Sequence, residues 1–328
     1  MSFPLYRRPS AVVFLDDDLD YLEMLAEVMP EDWFVQLIMR PAACIELLLQ
    51  ENPIRELDLW CQQEVINRWH GGTALIPQIL KYWRDDGVSR FTLTQVCVMD
   101  YSMPAMNGMK VLDALASWPG SRILLTGRAD EQLAVSAFNS GAIQQFIPKQ
   151  SADIRHRLTD AIHSLLCKAS LRHDQIWRAS FTHEQTLLLN NPMITAGLEK
   201  LAVKQAWVEH IAIGAPFGIV ALDSTARAVW LQLEPADRLP ELAEMAASEV
   251  YDAVTVEQVR SGQKLIDFEL QLALGSNQKA RSREAFTLGT GTSLLYAALF
   301  DINEVFYPLV TDSYQEFLTR KGGRQLQD

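Results

Sequence analysis

Asp100 stands at the end of an unbroken apolar run, Val96-Cys97-Val98-Met99, and Pro104 and Gly108 break the chain within eight residues after it. Such a run suits a strand buried on both faces of a parallel sheet. The carboxyl ends of such strands are where open α/β sheets place their chemistry. A second run, Ala11-Val12-Val13-Phe14-Leu15, ends in Asp16-Asp17-Asp18. A third, Ser121 to Gly127, ends in the hydroxyl of Thr126, and a short fourth, Gln144 to Lys149, ends in a lysine. Carboxylates gathered at one edge are costly unless they hold a cation. Asp16, Asp17 and Asp100 offer hard oxygen ligands suited to Mg²⁺. A carboxylate so placed can attack phosphorus and form an aspartyl phosphate. Phosphoryl transfer needs mainly charge neutralisation and positioning. Lys149 and the metal can neutralise the phosphoryl oxygens, and the Thr126 hydroxyl can donate to one. A threonine or lysine at a strand end is usually only solvated, so the information lies in the combination.

The elements that position these residues follow in chain order. Leu22, Leu25, Ala26 and Met29 recur at helical spacing over Leu19 to Met29, and Pro30 ends that helix. Trp33 to Met39 reads as a second strand and Ala42 to Leu49 as the start of another helix. Strand, loop and helix together take roughly 20–25 residues, which places the third strand about 45 residues after the first. Asp17 and Asp100 are instead 83 residues apart. The surplus is an insertion of about 40 residues, roughly 51–90, carrying Trp60, Trp69 and Trp83 and reading as two helices broken at Gly71-Gly72. It is expected to pack on the edge of the sheet as a helical elaboration. The sharper reading is a partner or dimer surface, since aromatics are enriched at such anchors. Met109 to Leu115 and Glu131 to Ser140 are helical, the latter closed by Gly141. This order makes a doubly wound α/β sheet with its polar groups at one edge.

Composition narrows the classes. The chain has 328 residues, 48% hydrophobic and 21% charged, which allows two or three domains with real cores. The net charge is −12, and from Ser151 to Asp328 there are 17 Lys and Arg against 22 Asp and Glu. No nucleic-acid partner is expected from this balance. No apolar run approaches the ~20 residues of a membrane span, and the N-terminus is too short and too acidic for a signal peptide. Cys44, Cys61, Cys97 and Cys167 form no CxxC pair and read as thiols in a reducing, cytoplasmic setting.

In these residues and their spacing, 1–165 resembles the receiver domain of a two-component response regulator. The resemblance is carried by Phe14-Leu15-Asp16-Asp17-Asp18, by Met99-Asp100-Tyr101-Ser102-Met103-Pro104 with Gly108, by Leu124-Leu125-Thr126 and by Lys149. It implies a flavodoxin-like parallel sheet and no enzyme activity of the chain's own. Asp100 is then the phosphoacceptor for a histidine kinase or phosphotransfer protein. Asp16, Asp17 and Asp100 hold Mg²⁺ with the Ser102 backbone carbonyl. Thr126 and Phe146 are the switch residues, and Lys149 pairs with the phosphoryl group. The sequence departs from the family at Pro148-Lys149-Gln150, where proline ordinarily follows the lysine, at Gly127, where alanine is usual, and in the insertion. A haloacid-dehalogenase-type phosphatase using Asp16 and Asp18 is the enzyme alternative. It leaves Asp100 unexplained, and Leu19 follows Asp18 where a small hydroxyl or β-branched residue belongs. A phosphorylation-independent docking scaffold is the other alternative.

The second half divides in two. Ala152 to Ala179 carries Ile154, Leu158, Ile162, Leu165, Ala169 and Ile176 at helical spacing, so 166–205 is expected to be a helical linker, with a further helix from Met193 to Glu209. Residues 206–328 then read as strands 218–223 and 228–233, a helical 239–261, an alternating strand 264–274 and two strands around Gly289-Thr290-Gly291. Tyr307 to Arg320 reads as a closing helix and Lys321 to Asp328 as a polar tail. The order is similar to a PAS-type α+β fold, with no cofactor carried over. The Trp-bearing insertion and this output resemble the atypical regulators of α-hydroxyketone quorum-sensing systems. The expectation is a response regulator of a phosphorelay whose PAS-like output works through protein contacts, as a homodimer.

Overall fold

In a computed structural model of the chain, residues 3–86, 90–104, 106–127, 131–167, 171–249, 251–307 and 313–327 are described. Ala105 of the turn after Asp100, the segment 128–130 that follows Gly127, and 308–312 at the start of the closing helix lie outside them. Among the described residues no helix is long and apolar enough to cross a membrane. The chain divides into two compact units, each assembled from separate stretches.

One unit comprises Pro9–Asp58, Val88–Lys168 and Tyr314–Asp328. Its sheet runs in the order Arg324–Gln327, Phe34–Ile38, Ala11–Leu15, Thr94–Asp100, Ser121–Thr126, Gln145–Pro148, and all of these pairings are parallel. The expected flavodoxin-like order is therefore present, with one strand added at its edge. Apolar runs without alternation reflect two covered faces. Val12, Phe14, Val96 and Val98 pack against helices Leu19–Glu27 and Ile154–Leu166, while Val13, Leu15, Cys97 and Met99 pack with Cys44, Val111 and Ala134 on the other side. The closing helix expected over 307–320 is present as Tyr314–Lys321, while the polar tail expected after it forms strand Arg324–Gln327, which pairs Leu326 with Leu37. Phe317 explains the docking: it is 2% exposed and stacks edge-on against Phe34 at 4.9 Å.

The other unit comprises Met1–Arg8, Leu59–Gly87 and Ala169–Ser313. Its main sheet is antiparallel, in the order Tyr6–Arg7, Trp207–Gly214, Phe217–Asp223, Ala228–Pro235, Leu295–Asp301, Phe286–Leu288. An antiparallel sheet with flanking helices is compatible with the PAS-like expectation, but its membership differs from the expected 206–328. The N-terminal residues supply an edge strand, with Tyr6 opposite Ile211 and Arg7 opposite His210. The described residues of the supposed linker are packed, not free. Helices Leu171–Arg178, His183–Leu189 and Pro192–Lys204 bury Trp177, Leu189, Ile194 and Leu198 in this unit's core. The insertion is divided as well: the boundary falls within helix Asn52–His70, between Asp58 and Leu59. Residues 59–87 group with the antiparallel unit and not with the parallel one. Helix Leu75–Asp86 places Leu75, Ile76, Ile79, Leu80 and Trp83 in the core of the antiparallel unit. Its apolar face is too wide for a surface ornament and needs a core to cover it.

Local readings also changed. The helix expected to reach Glu209 ends at Lys204, Ala206 turns the chain with φ +50°, and Trp207–Gly214 is a strand. The stretch 264–274 is a short strand, Lys264–Ile266, followed by helix Phe268–Ala273. Fully buried Asp267 fixes that change of structure. Its carboxylate accepts from Gln271 Nε2 at 2.8 Å, from the Arg281 backbone N–H at 2.5 Å and from Arg281 Nε at 2.8 Å.

Candidate functional site

The parallel register brings the strand ends together. Asp100 lies opposite Leu125, and Thr126 lies opposite Pro148, one residue before Lys149. The Lys149 backbone N–H donates to the Thr126 carbonyl at 3.0 Å, and the Tyr101 N–H donates to the Leu125 carbonyl at 3.0 Å. On the other flank, the Asp16 N–H donates to the Ile38 carbonyl at 3.2 Å. Strand pairing alone thus carries residues 83 apart to a common edge.

Carboxylate oxygens of Asp16, Asp17 and Asp100 lie within 4.8 Å of one another. Asp16 and Asp100 are buried and Asp17 is exposed, so the cluster opens to solvent on one side. Lys149 Nζ lies 2.7 Å from Asp16 Oδ2 and 3.0 Å from Asp100 Oδ1. The Ser102 backbone N–H donates to Asp100 Oδ2 at 3.2 Å. The Asp18 N–H donates to Asp16 Oδ1 at 3.1 Å. Asp18 itself is exposed and caps helix Leu19–Glu27, accepting from the Tyr21 N–H at 3.1 Å. That capping role occupies the residue the phosphatase alternative needs as its acid.

Electrostatics follow from this crowding. Burial pushes the Asp16 carboxyl up, the Lys149 hydrogen bond opposing and the Asp100 charge adding to it. Burial pulls the Lys149 ammonium down, but its hydrogen bonds to Asp16 and Asp100 outweigh this and its pKa is raised. One lysine therefore faces two buried acids and an exposed third. This leaves an excess of negative charge that suits a divalent cation, and the all-oxygen donor set suits Mg²⁺.

Thr126 is fully buried, and its Oγ1 has no hydrogen-bond partner. A buried hydroxyl without a partner is uncommon, and this one stands at the strand end beside Lys149 with a donor to give. Phe146 is half-buried on the next strand and meets Phe138 edge-on at 6.3 Å. The altered Pro148-Lys149-Gln150 order does not displace the lysine. Among the described residues the cis peptide bond is at Ala215-Pro216, and the Ser151 N–H closes a turn onto the Pro148 carbonyl at 3.1 Å. Residues 128–130 lie outside the described residues, and the loop expected to be loosened after Gly127 falls on them.

Sequence reasoning missed Tyr21. Its ring lies 4.6 Å from Lys149 Nζ, close enough for a cation–π contact. Its hydroxyl is buried without a partner. Burial and the charges of Asp16 and Asp100 raise its pKa. Its place one turn into the helix after Asp16-Asp17 was the available signal. Gly108 has a positional role. A Cβ there would lie 2.8 Å from the Asp100 carbonyl and 3.0 Å from Leu124. Gly108→Ala is expected to cost about 1–3 kcal/mol, read from urea unfolding. An unchanged midpoint contradicts this close approach.

The family described as the response regulator receiver domain matches residues 77–163. This stretch holds Asp100, Thr126 and Lys149 but not Asp16 and Asp17, which lie beyond the insertion. No curated protein matches the sequence. The response regulator LqsR of Legionella pneumophila is similar in structure, at 21% identity, with 97% of each chain covered and a TM-score of 0.69. The signal receiver domain of a putative Luxo repressor protein from Vibrio parahaemolyticus matches at 17% identity over 48% of this chain and 90% of its own, with a TM-score of 0.33. At these identities the LqsR likeness speaks for the fold. The family match thus places a response regulator receiver domain over 77–163, the stretch that supplies Asp100, Thr126 and Lys149 to the parallel sheet's edge.

Proposed function

We propose that the chain is a response regulator of a phosphorelay and that Asp100 is its phosphoacceptor. The observation that carries this is the convergence of three carboxylates, Lys149 and the unpartnered Thr126 hydroxyl at one sheet edge. In the reaction an Asp100 carboxylate oxygen forms a bond to phosphorus while the P–N bond of a kinase or phosphotransfer-protein phosphohistidine breaks. The electron pair leaves with the imidazole nitrogen. Lys149 and the Ser102 N–H hold the two Asp100 oxygens in place. Asp16, Asp17, Asp100 and the Ser102 carbonyl would hold Mg²⁺, which supplies charge neutralisation for the phosphoryl oxygens when bound. Thr126 then donates its hydroxyl to a phosphoryl oxygen, and Phe146 repacks beside it. The chain does no enzyme chemistry beyond accepting this group.

The output is read as a non-DNA-binding, PAS-like unit that works through a protein target, in a cytoplasmic homodimer. The acidic balance of the second half and the absence of a basic helix in the sequence support that reading. The quorum-sensing kind of regulator is favoured by the Trp-bearing insertion ahead of the Asp100 strand. Adding beryllium fluoride with Mg²⁺ to the full chain is expected to change its oligomeric state or particle dimensions in small-angle scattering. Asp100→Asn should show no such response. Identical scattering curves for wild type with and without the phosphoryl mimic sink the switching reading.

A further inference from the structure

The antiparallel unit carries an open cleft of about 1040 Å³. It is bounded by the 214–217 turn, the end of strand Ala228–Pro235, and helices His183–Leu189 and Phe268–Ala273. Its charge is one-sided: Glu184, Glu234, Asp237 and Glu269 line it against the single guanidinium of Arg238. Its apolar wall includes Phe217 and Leu188, and Leu187 and Leu272 stand exposed at the rim.

Glu234 distinguishes this cleft from an ordinary acidic surface. It is 5% exposed, yet it lines the opening. Gln232 Nε2 donates to its Oε1 at 2.8 Å. Its Oε2 lies 4.0 Å from Arg238 Nε, beyond hydrogen-bond distance. Arg238 is already committed elsewhere, to Glu241 and, at 3.2 Å, to Glu269. Burial pushes the Glu234 carboxyl up to about 7, the Gln232 hydrogen bond and Arg238 opposing, Glu269 and Glu241 adding. The cleft thus presents at its wall a buried carboxylate whose nearest guanidinium is taken up by Glu241 and Glu269. A desolvated carboxylate without a full partner is costly, and a cation relieves that cost. An ammonium group brings three donors and no acceptor. An anion would meet four carboxylates.

We propose that this cleft binds a small organic cation, an ammonium group carried on an apolar body, with Glu234 as its charge partner. The inference does not depend on phosphorylation of Asp100.

Titration calorimetry on the full chain with n-hexylammonium, n-hexanol and hexanoate tests it. Hexylammonium is expected to bind saturably, at least about tenfold more tightly than either counterpart. Glu234→Gln keeps the side-chain shape and should abolish that preference while leaving hexanol binding unchanged. Leu272 is 83% exposed, so Leu272→Arg perturbs no core. By placing a like charge at the rim it should weaken hexylammonium several-fold, even if Glu234→Gln fails to fold. Equal affinity for hexanol, no saturable heat from hexylammonium, or unchanged preference in either folded variant overturns the proposal.

Discussion

Asp100→Asn is expected to abolish phosphoryl uptake from acetyl phosphate, with a loss on the order of 10³-fold or more. The substitution removes the attacking oxygen while keeping side-chain volume. Lys149 retains its 2.7 Å contact with Asp16, so the site keeps its shape. The neighbouring acids are not substitutes. Asp16 is turned to Lys149 and the Asp18 N–H, and Asp18 caps a helix. Incorporation of labelled phosphate with Mg²⁺ present checks this. Uptake by Asp100→Asn at the wild-type rate, with loss only in Asp16→Asn, would favour the phosphatase alternative.

Trp83→Ala is expected to destabilise the antiparallel unit by about 3–5 kcal/mol. Trp83 is fully buried among Ile76, Ile79 and Leu80 in that unit's core. A large buried side chain leaves both lost transfer energy and a cavity. Hydrogen exchange localises the effect. Protection should fall along strands Trp207–Gly214, Phe217–Asp223 and Ala228–Pro235. If residues 59–87 were an appendage of the parallel sheet, exchange in these strands would be untouched.

How much was legible depends on the range of the interactions involved. The strands of the parallel sheet show in sequence because each is buried on both faces, so residues such as Val12 and Val13 are apolar together. Asp16, Asp100, Thr126 and Lys149 show because each ends such a run. Pairings that span the whole chain leave no local trace. Tyr6–Arg7 and Arg324–Gln327 are strands only because edges lie beside them, hundreds of residues away in sequence. Arg324-Gln325-Leu326-Gln327 has no β-branched residue and reads as a tail. In the insertion, the apolar stripe shows that a helix is buried but not what buries it. Strand Trp207–Gly214 was hidden by Glu209 and His210, both buried polar residues in a strand interior. His210 survives there by bonding the Pro4 carbonyl at 3.0 Å, and burial holds its pKa down to about 3. At 264–274 the leucines fit both periods, and Asp267 decides between them.

The acidic edge of the parallel sheet is expected to take up phosphate at one carboxylate, Asp100. The direct measurement is mass-spectrometric mapping of the full chain after incubation with acetyl phosphate and Mg²⁺. A single phosphoryl adduct on the peptide containing Asp100, lost when Mg²⁺ is chelated, is the predicted result. An adduct on the peptide containing Asp16 and Asp18, or none at all, contradicts it.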